Sequence, residues 1–458
     1  MPTSYPLYKD SVKNWFLQNV SLNASILDIG AGCGTYSDLL RGYGYKMHAV
    51  EIWEPYIKQY DLNNKYSCVY KENILKMPFD LLDTYDFFIL GDVLEHLSVE
   101  DAQCLMNFLK IKGKRYLVAV PYVMEQGEYE GNVHEAHLQP DLTPENMLER
   151  YPDLELLYGN NYYGYYTNKK QKHEKAYVLY ADDSYLDLVD ACCRSIRNHS
   201  NIPICVYMLN SHNKVNVKNT TTIRWDCDVR HLKKRNDYIN REDKQIYKLL
   251  IERPKIVKHA LQNYAKVVTY IDTDSVATRN VDSIFDYFNV DSTYPYFTEG
   301  IYEYLIVNGR GGAESRDDLS GTLEAPACEL FGINQQNRGM YRQTGYFVVG
   351  QNSLDWLDEW SWLCQNPSVL RNNAWYAPFN EETIANCLLW KYKQYKGLPY
   401  CYINGLRKNL IFTGYDNLIS DWVKIPATER QLIFFHGEKD IEKINKFIDE
   451  NTVSSTAP

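Results

Sequence analysis

The chain has 458 residues, 45% hydrophobic and 24% charged, and a formal net charge of −10. That length exceeds one ordinary core and implies two or three domains of about 100–200 residues each. The composition is that of a soluble globular protein, and the acidic balance argues against a nucleic-acid partner, because phosphate contacts need clustered Lys and Arg.

Residues 1–20 read as a helical lead-in around Trp15 and Phe16. From residue 25, short apolar runs alternate with helical stretches: strand 25–29, helix 36–43, strand 46–51, strand 85–90, helix 102–109 and strand 115–121. This is the rhythm of a doubly wound α/β sheet. The pattern dissolves at Gly159-Asn160-Asn161 and again over the polar run 167–172, so residues 161–174 are read as a linker after a domain of 1–160. A second α/β series, spanning 175–450, opens with strand 175–180, helix 185–198, strand 204–209, helix 255–263 and strand 267–271. The basic cluster Arg230-His231-Leu232-Lys233-Lys234-Arg235 reads as a solvated helix face. Residues 291–340, with Asn308-Gly309-Arg310-Gly311-Gly312, read as a loop closing over a site, and 451–458 as a disordered tail. The 11 cysteines include no CxxC pair and read as reduced thiols of a cytoplasmic protein. The sequence starts without a basic-then-apolar signal pattern. No apolar run nears the ~20 residues of a membrane span.

Two stretches carry chemistry. The first is Ile26-Leu27-Asp28-Ile29-Gly30-Ala31-Gly32-Cys33-Gly34. Asp28 comes at the end of a strand, and Gly30, Gly32 and Gly34 follow at alternate positions before a helix. Missing side chains let the backbone turn tightly and approach a ligand, and the helix start adds N–H groups with positive partial charge. Glu51 ends the next strand, where a carboxylate can take both ribose hydroxyls. Asn73 lies in a turn, able to meet an adenine edge. Asp92 follows a further strand within Gly91-Asp92-Val93-Leu94-Glu95-His96-Leu97.

This set resembles the class I S-adenosylmethionine-dependent methyltransferases over residues 20–160. The resemblance implies that Gly30, Gly32 and Gly34 cradle the methionine part of the donor and that Glu51 holds its ribose. Asn73 stands where that family often has Asp. Methyl transfer from a sulfonium is an in-line displacement that needs an aligned nucleophile and, for a hydroxyl, a base. Candidates are Asp92, Glu95 and His96, with His134, Glu135 and His137 on the segment after strand 115–121. His134 and His137 are read first as hydrogen-bonding groups of a substrate loop and second as metal ligands.

The second stretch is Tyr270-Ile271-Asp272-Thr273-Asp274-Ser275, at the end of a strong β run. Two carboxylates two residues apart can bind Mn²⁺ or Mg²⁺, hard ions that tolerate phosphate co-ligands. Such a metal neutralises charge on a departing nucleotide diphosphate. With Arg253-Pro254-Lys255, Asn280-Val281-Asp282, Thr344-Gly345-Tyr346, Glu381-Glu382-Thr383 and His436-Gly437-Glu438-Lys439 in order around it, the region 174–445 resembles metal-dependent GT-A glycosyltransferases of the glycogenin and lipopolysaccharide-galactosyltransferase type. The resemblance implies metal ligands Asp272, Asp274 and His436. It implies nucleotide-sugar contacts from Tyr180, Asp182, Lys255, Thr273, Gly345 and Lys439. Glu381 and Glu382 stand at the family's Asp-Gln pair, the catalytic position, and their longer side chains change what that pair can reach.

The expected architecture is therefore α/β in two domains, a Rossmann-like methyltransferase sheet followed by a GT-A nucleotide-sugar transferase sheet. The expected function is bifunctional: sugar transfer from a nucleotide-sugar, with a UDP-sugar as the expected donor, and S-adenosyl-L-methionine-dependent O-methylation of a sugar or glycan acceptor. Tethering would raise the local concentration of one site's product near the other. The alternatives are a glycosyltransferase whose methyltransferase-like half presents the acceptor, and a nucleic-acid methyltransferase with an adaptor domain.

Overall fold

In β1 (Ser25–Ile29), Ile26 joins one apolar cluster while Leu27 and Ile29 join another on the opposite face. In β4 (Phe87–Gly91), Phe87 and Ile89 alternate with Phe88 and Leu90 in the same two clusters. A strand with both faces apolar must be covered on both sides, which is the condition for a parallel sheet between helices. The computed structural model describes residues 4–169, 172–227, 251–279, 281–299, 342–366, 380–398, 411–413, 434–436 and 439–452. The chain divides into two compact units, Met1–Gln171 and Lys172–Pro458.

In the first unit β1, β2 (Lys46–Val50), β3 (Cys68–Tyr70), β4 and β5 (Arg115–Pro121) are parallel, and β6 (Leu154–Gly159) and β7 (Tyr163–Asn168) complete a sheet of order β3-β2-β1-β4-β5-β7-β6. The chain runs outward from β1 through β2 to β3, then resumes on the other side with β4. The carboxyl ends of β1 and β4 thus flank the topological switch point, where open α/β sheets bind ligands. The helix read over 36–43 spans Thr35–Leu39 and stops short, because Gly42 and Gly44 follow with φ of 84° and 80°.

The segment read as a linker over 161–174 contains a strand instead. β7 is inserted antiparallel between β5 and β6, with Tyr163, Tyr165 and Tyr166 buried. Its polar, glycine-containing sequence hid a strand whose tyrosines have high β propensity. Gly164 belongs there because a Cβ would sit 1.8 Å from the Tyr122 hydroxyl.

In the second unit β8 (His173–Ala181), β9 (Ile204–Leu209), β10 (Thr220–Trp225) and β11 (Ala265–Ile271) are parallel. With β13 (Tyr296–Glu299) and β14 (Arg342–Gly350) they form the order β10-β9-β8-β11-β14-β13, in which β14 is antiparallel to β11. Here the switch point lies between β8 and β11. A small sheet of β12 (Ser275–Ala277), β16 (Phe434–His436) and β15 (Ile411–Thr413) follows directly on β11. The fold is thus α/β twice over, as expected. Of the loop read over 291–340, residues 300–340 lie outside the described residues, and the end of the described part forms β13. The basic cluster 230–235 and tail residues 453–458 also lie outside them. Among the described residues no helix is long and apolar enough to cross a membrane.

One face of the second sheet packs on Trp360, which is fully buried in the helix Leu354–Gln365. Its ring stands edge-on to Phe297 and Phe347, and its indole N–H donates to the Glu381 carbonyl at 2.8 Å. Trp360→Ala removes both contacts, and the expected destabilisation is about 3–5 kcal/mol, read as a lowered midpoint in denaturant unfolding.

Candidate active sites

The first site grows from the turn after β1. Gly30, Gly32 and Gly34 adopt φ of 62°, 54° and 80°, a path that L side chains rarely take. A Cβ on Gly30 would also lie 2.9 Å from Val93 Cγ2. Glu51, just past β2, accepts the Gly32 N–H at 2.9 Å and the Trp53 N–H at 2.8 Å. Burial pushes its carboxyl above the usual range and these two N–H groups oppose that shift. The glycine turn, Glu51, Asn73, Asp92, His96 and His134 line one cavity of about 280 Å³. Asn73 accepts the Leu75 N–H at 2.9 Å through its side-chain oxygen, capping its own turn.

Asp28 and Gly34 are not among the residues lining that cavity. Asp28 is 1% exposed and accepts the Tyr66 hydroxyl at 2.5 Å, so it supports the turn from within. Burial raises its carboxyl to about 7, against the lowering effects of Tyr66 and Lys9. Asp92 follows β4 with φ 57° and accepts the Tyr163 hydroxyl at 2.6 Å through Oδ1, while its buried Oδ2 has no hydrogen-bond partner among the described residues. Lys9 donates to Ser4 at 2.7 Å and lies 4.4 Å from the Tyr36 ring centroid. Burial lowers its ammonium to about 8, with Asp92 and Asp28 pulling the other way.

Sequence reading missed Lys9 and Tyr163. Lys9 belongs to the lead-in helix Lys9–Asn19, and Tyr163 to the segment taken as a linker. No spacing in the sequence ties either to Asp92. The structure also separates the two histidines that were paired on paper: His134 is exposed and lines the cavity, whereas His137 sits with Glu95 and His96. Burial holds His96 down to about 4. Burial, and then Asp92 beside it, pushes Glu95 well above the carboxylate range.

The second site grows from the carboxyl end of β11. The Asp272 N–H donates to the Gly345 carbonyl at 2.9 Å, which fixes the turn against β14. Asp272 Oδ1 accepts from the Tyr270 hydroxyl at 2.8 Å and from Arg253 at 3.2 Å. Arg253, 5% exposed in the helix Glu252–Asn263, also donates to Thr344 at 2.6 Å and Glu381 at 2.9 Å. Its guanidinium lies 5.0 Å from the Tyr270 ring centroid. Glu382 accepts the Thr344 N–H at 3.0 Å; burial, then Glu381 beside it, raises its carboxyl to about 8.

Asp274 Oδ2 lies 3.4 Å from Lys439 Nζ, which also donates to the Tyr185 hydroxyl at 3.2 Å. In the small sheet Ser275, the residue after Asp274, is in register with His436. Thr273 is half-buried between the two aspartates. At the end of β8, Tyr180 packs on Tyr270 with centroids 5.7 Å apart, and Asp182 caps the following turn through the Ser184 N–H at 3.0 Å. Lys255 is paired with Glu252 at 2.7 Å. The cation that meets Asp272 is Arg253, two residues earlier. Its role depends on burial across 128 residues from Glu381, which a local motif does not encode.

Residues 27–111 match the family model described as a methyltransferase domain. That span holds the glycine turn, Glu51 and Asp92. No curated protein matches the chain by sequence. Among solved structures, the chain is similar to the galactosyltransferase LgtC in complex with donor and acceptor sugar analogs, at 14% identity over 62% of this chain and 97% of that one, with a TM-score of 0.35. It is similar to the N-terminal domain of EvdMO1 with SAH bound, at 12% identity over 37% and 83%, with a TM-score of 0.30. It is also similar to the glycosyltransferase GlyE of Streptococcus pneumoniae TIGR4, at 12% identity over 62% of this chain and 63% of that one, with a TM-score of 0.35.

Two outcomes follow from this geometry. Asp28 carries a folded pKa of about 7, against ~3.9 for an unfolded aspartate. As pH rises the unfolded chain releases this proton first, so the stability contributed by protonated Asp28 is full below about pH 4 and lost by about pH 7. Scanning calorimetry of the full chain should therefore show Asp28→Asn gaining stability relative to wild type between pH 4 and pH 8. A Cβ on Gly345 would lie 2.5 Å from Asp272 Oδ2. Gly345→Ala should cost about 1–3 kcal/mol and be non-additive with Asp272→Ala by about 1 kcal/mol in a double-mutant cycle.

Proposed function

We propose that this chain is a bifunctional glycan-modifying enzyme, in which the first unit O-methylates a sugar or glycan hydroxyl and the second transfers a sugar from a nucleotide-sugar. The observation that carries the reading is that each sheet gathers carboxylates at its own topological switch point, one set around a glycine-lined cavity and one around an Asp-x-Asp turn. The methyltransferase-domain match over 27–111 supports the first half.

The residues of the first cavity fit S-adenosyl-L-methionine. Gly30 and Gly32 leave backbone where a Cβ would intrude or strain. Glu51 is held by two backbone N–H groups and keeps acceptor capacity for ribose hydroxyls. Asn73 lines the same cavity on the adenine side of this reading. When bound, the donor supplies an electrophilic methyl group. Asp92, His96 and His134 face the acceptor side: they orient its hydroxyl, and Asp92 or His134 takes its proton. Tyr163 and Lys9 position Asp92.

The residues of the second site fit a divalent cation with oxygen preference. Asp272 and Asp274 offer carboxylates on one turn, and His436, in register with Ser275, is the proposed third ligand. When bound, Mn²⁺ or Mg²⁺ neutralises charge on the diphosphate. Lys439, beside Asp274, meets the diphosphate from the other side. Tyr180 and Asp182 hold the base, uracil in this reading, and Thr273 and Gly345 border the diphosphate and sugar. Arg253 holds Asp272 and Glu381 in place by hydrogen bonds, leaving Glu381 and Glu382 to contact the transferred sugar. Lys255 serves this site through the helix it shares with Arg253. The methyl-transfer domain is assigned to 1–160 and the glycosyl-transfer domain to 175–450, with β7 extending the first.

The test is calorimetry and labelled transfer with the full chain. S-adenosylhomocysteine and UDP with Mn²⁺ should bind independently. Glu51→Ala should weaken the former about 10- to 100-fold, the loss of a hydrogen bond to a charged acceptor worth ~1.5–3 kcal/mol. Asp272→Asn should abolish Mn²⁺-dependent UDP binding and leave the other ligand untouched. Failure of wild type to bind either ligand sinks the corresponding half.

A further inference from the structure

Glu95 and His96 lie in the 3₁₀ turn Leu94–His96 after β4, and His137 lies just beyond the turn Val133–Glu135. One ligand atom from each of the three falls within 4.8 Å of the others. Glu95 is 1% exposed, and neither carboxylate oxygen has a hydrogen-bond partner among the described residues. A buried carboxylate left this way costs several kcal/mol unless a proton or a cation meets it.

The two imidazoles are set for the cation. His96 Nδ1 lies 3.3 Å from the Ala136 carbonyl and His137 Nδ1 lies 2.7 Å from the Met124 carbonyl. A carbonyl can only accept, so in the neutral rings Nδ1 carries the proton and Nε2 keeps the lone pair. This is how ligating histidines are oriented from behind. The segments bearing the ligands are stitched together: Leu138 and Gln139 donate their N–H groups to the Glu95 carbonyl at 2.7 and 3.1 Å, and the Gln139 amide reaches the Leu94 and Leu97 carbonyls at 2.7 and 3.1 Å. The histidine rings meet edge to face, with centroids 4.8 Å apart.

We infer that Glu95, His96 and His137 form a divalent transition-metal site in the wall of the first unit's cavity. Two neutral imidazoles and one carboxylate suit Zn²⁺, Mn²⁺, Co²⁺ or Fe²⁺ better than an all-oxygen ion such as Ca²⁺. Three protein ligands leave coordination positions open. His96 lines the cavity, so an open position can take an acceptor hydroxyl and make it more acidic. That use rests on the methyl-transfer reading; the binding of the cation does not.

The experiment uses the full chain, stripped with chelator and titrated with Co²⁺, whose visible d–d bands report nitrogen and oxygen ligation. In the Asp272→Asn background, which disables the second unit's proposed cation set, the chain should show one equivalent with these bands. In that background His137→Ala and Glu95→Gln should bind it at least about 100-fold more weakly, while S-adenosylhomocysteine binds both variants within about threefold of their parent and so certifies their fold. Equal Co²⁺ spectra and affinity in the parent and the folded variants overturn the site. In the wild type, stripping should abolish methyl transfer and Co²⁺ or Zn²⁺ should restore it. Full methyl transfer by the stripped enzyme overturns the proposed use of the cation. Co²⁺ bound as expected, with neither S-adenosylhomocysteine binding nor methyl transfer, overturns the methyl-transfer reading and leaves the metal site standing.

Discussion

A carboxylate taken out of water must be met by a proton, by hydrogen bonds or by a cation, and both sheets of this protein concentrate carboxylates at strand ends where water is scarce. The compensation differs from residue to residue. In the first unit Glu51 is met by the backbone N–H groups of Gly32 in the glycine turn and of Trp53 after β2, and Asp28 by the Tyr66 hydroxyl. Asp92 is met on one oxygen by Tyr163, and Glu95 by no hydrogen bond among the described residues. Of the two that line the cavity, Glu51 has both oxygens occupied by N–H groups, whereas Asp92 has one oxygen without a hydrogen-bond partner among the described residues.

The second unit meets the same constraint with one buried guanidinium. Arg253 joins Asp272, Glu381 and Thr344 by hydrogen bonds from a helix, over the face of Tyr270. Arg suits this position because its fork of donors holds its geometry at any physiological pH, which a lysine would not. Removing it would leave the buried Glu381 without its cation, a costly state. The helix Glu252–Asn263 therefore does more than cover the sheet: its Arg253 links Asp272, just past β11, to Glu381 of the helix Asn380–Lys391.

Much of the frame was legible from local pattern. The strands read at 25–29, 115–121 and 204–209 coincide with β1, β5 and β9. Strands buried on both faces are dense in apolar residues, and that density is a local property. The glycine turn was equally visible, since the reason for glycine lies within its own few residues. Boundaries were less legible. β7 reads as a linker because its glycine and polar residues are explained only by Tyr122, one residue beyond β5, packing onto Gly164.

The sequence by itself determined two α/β series and the places where each turns from strand to helix with an acid at the bend, because strand periodicity and turn chemistry act over a handful of neighbours. What only the tertiary structure decided is which partner meets each acid. Lys9 and Tyr163 flank Asp92 from opposite ends of the first unit, Arg253 reaches Glu381 across 128 residues, and His137 leaves His134 to join Glu95 and His96. Those pairings depend on where chain segments cross after the cores have packed, and no local spacing carries that information.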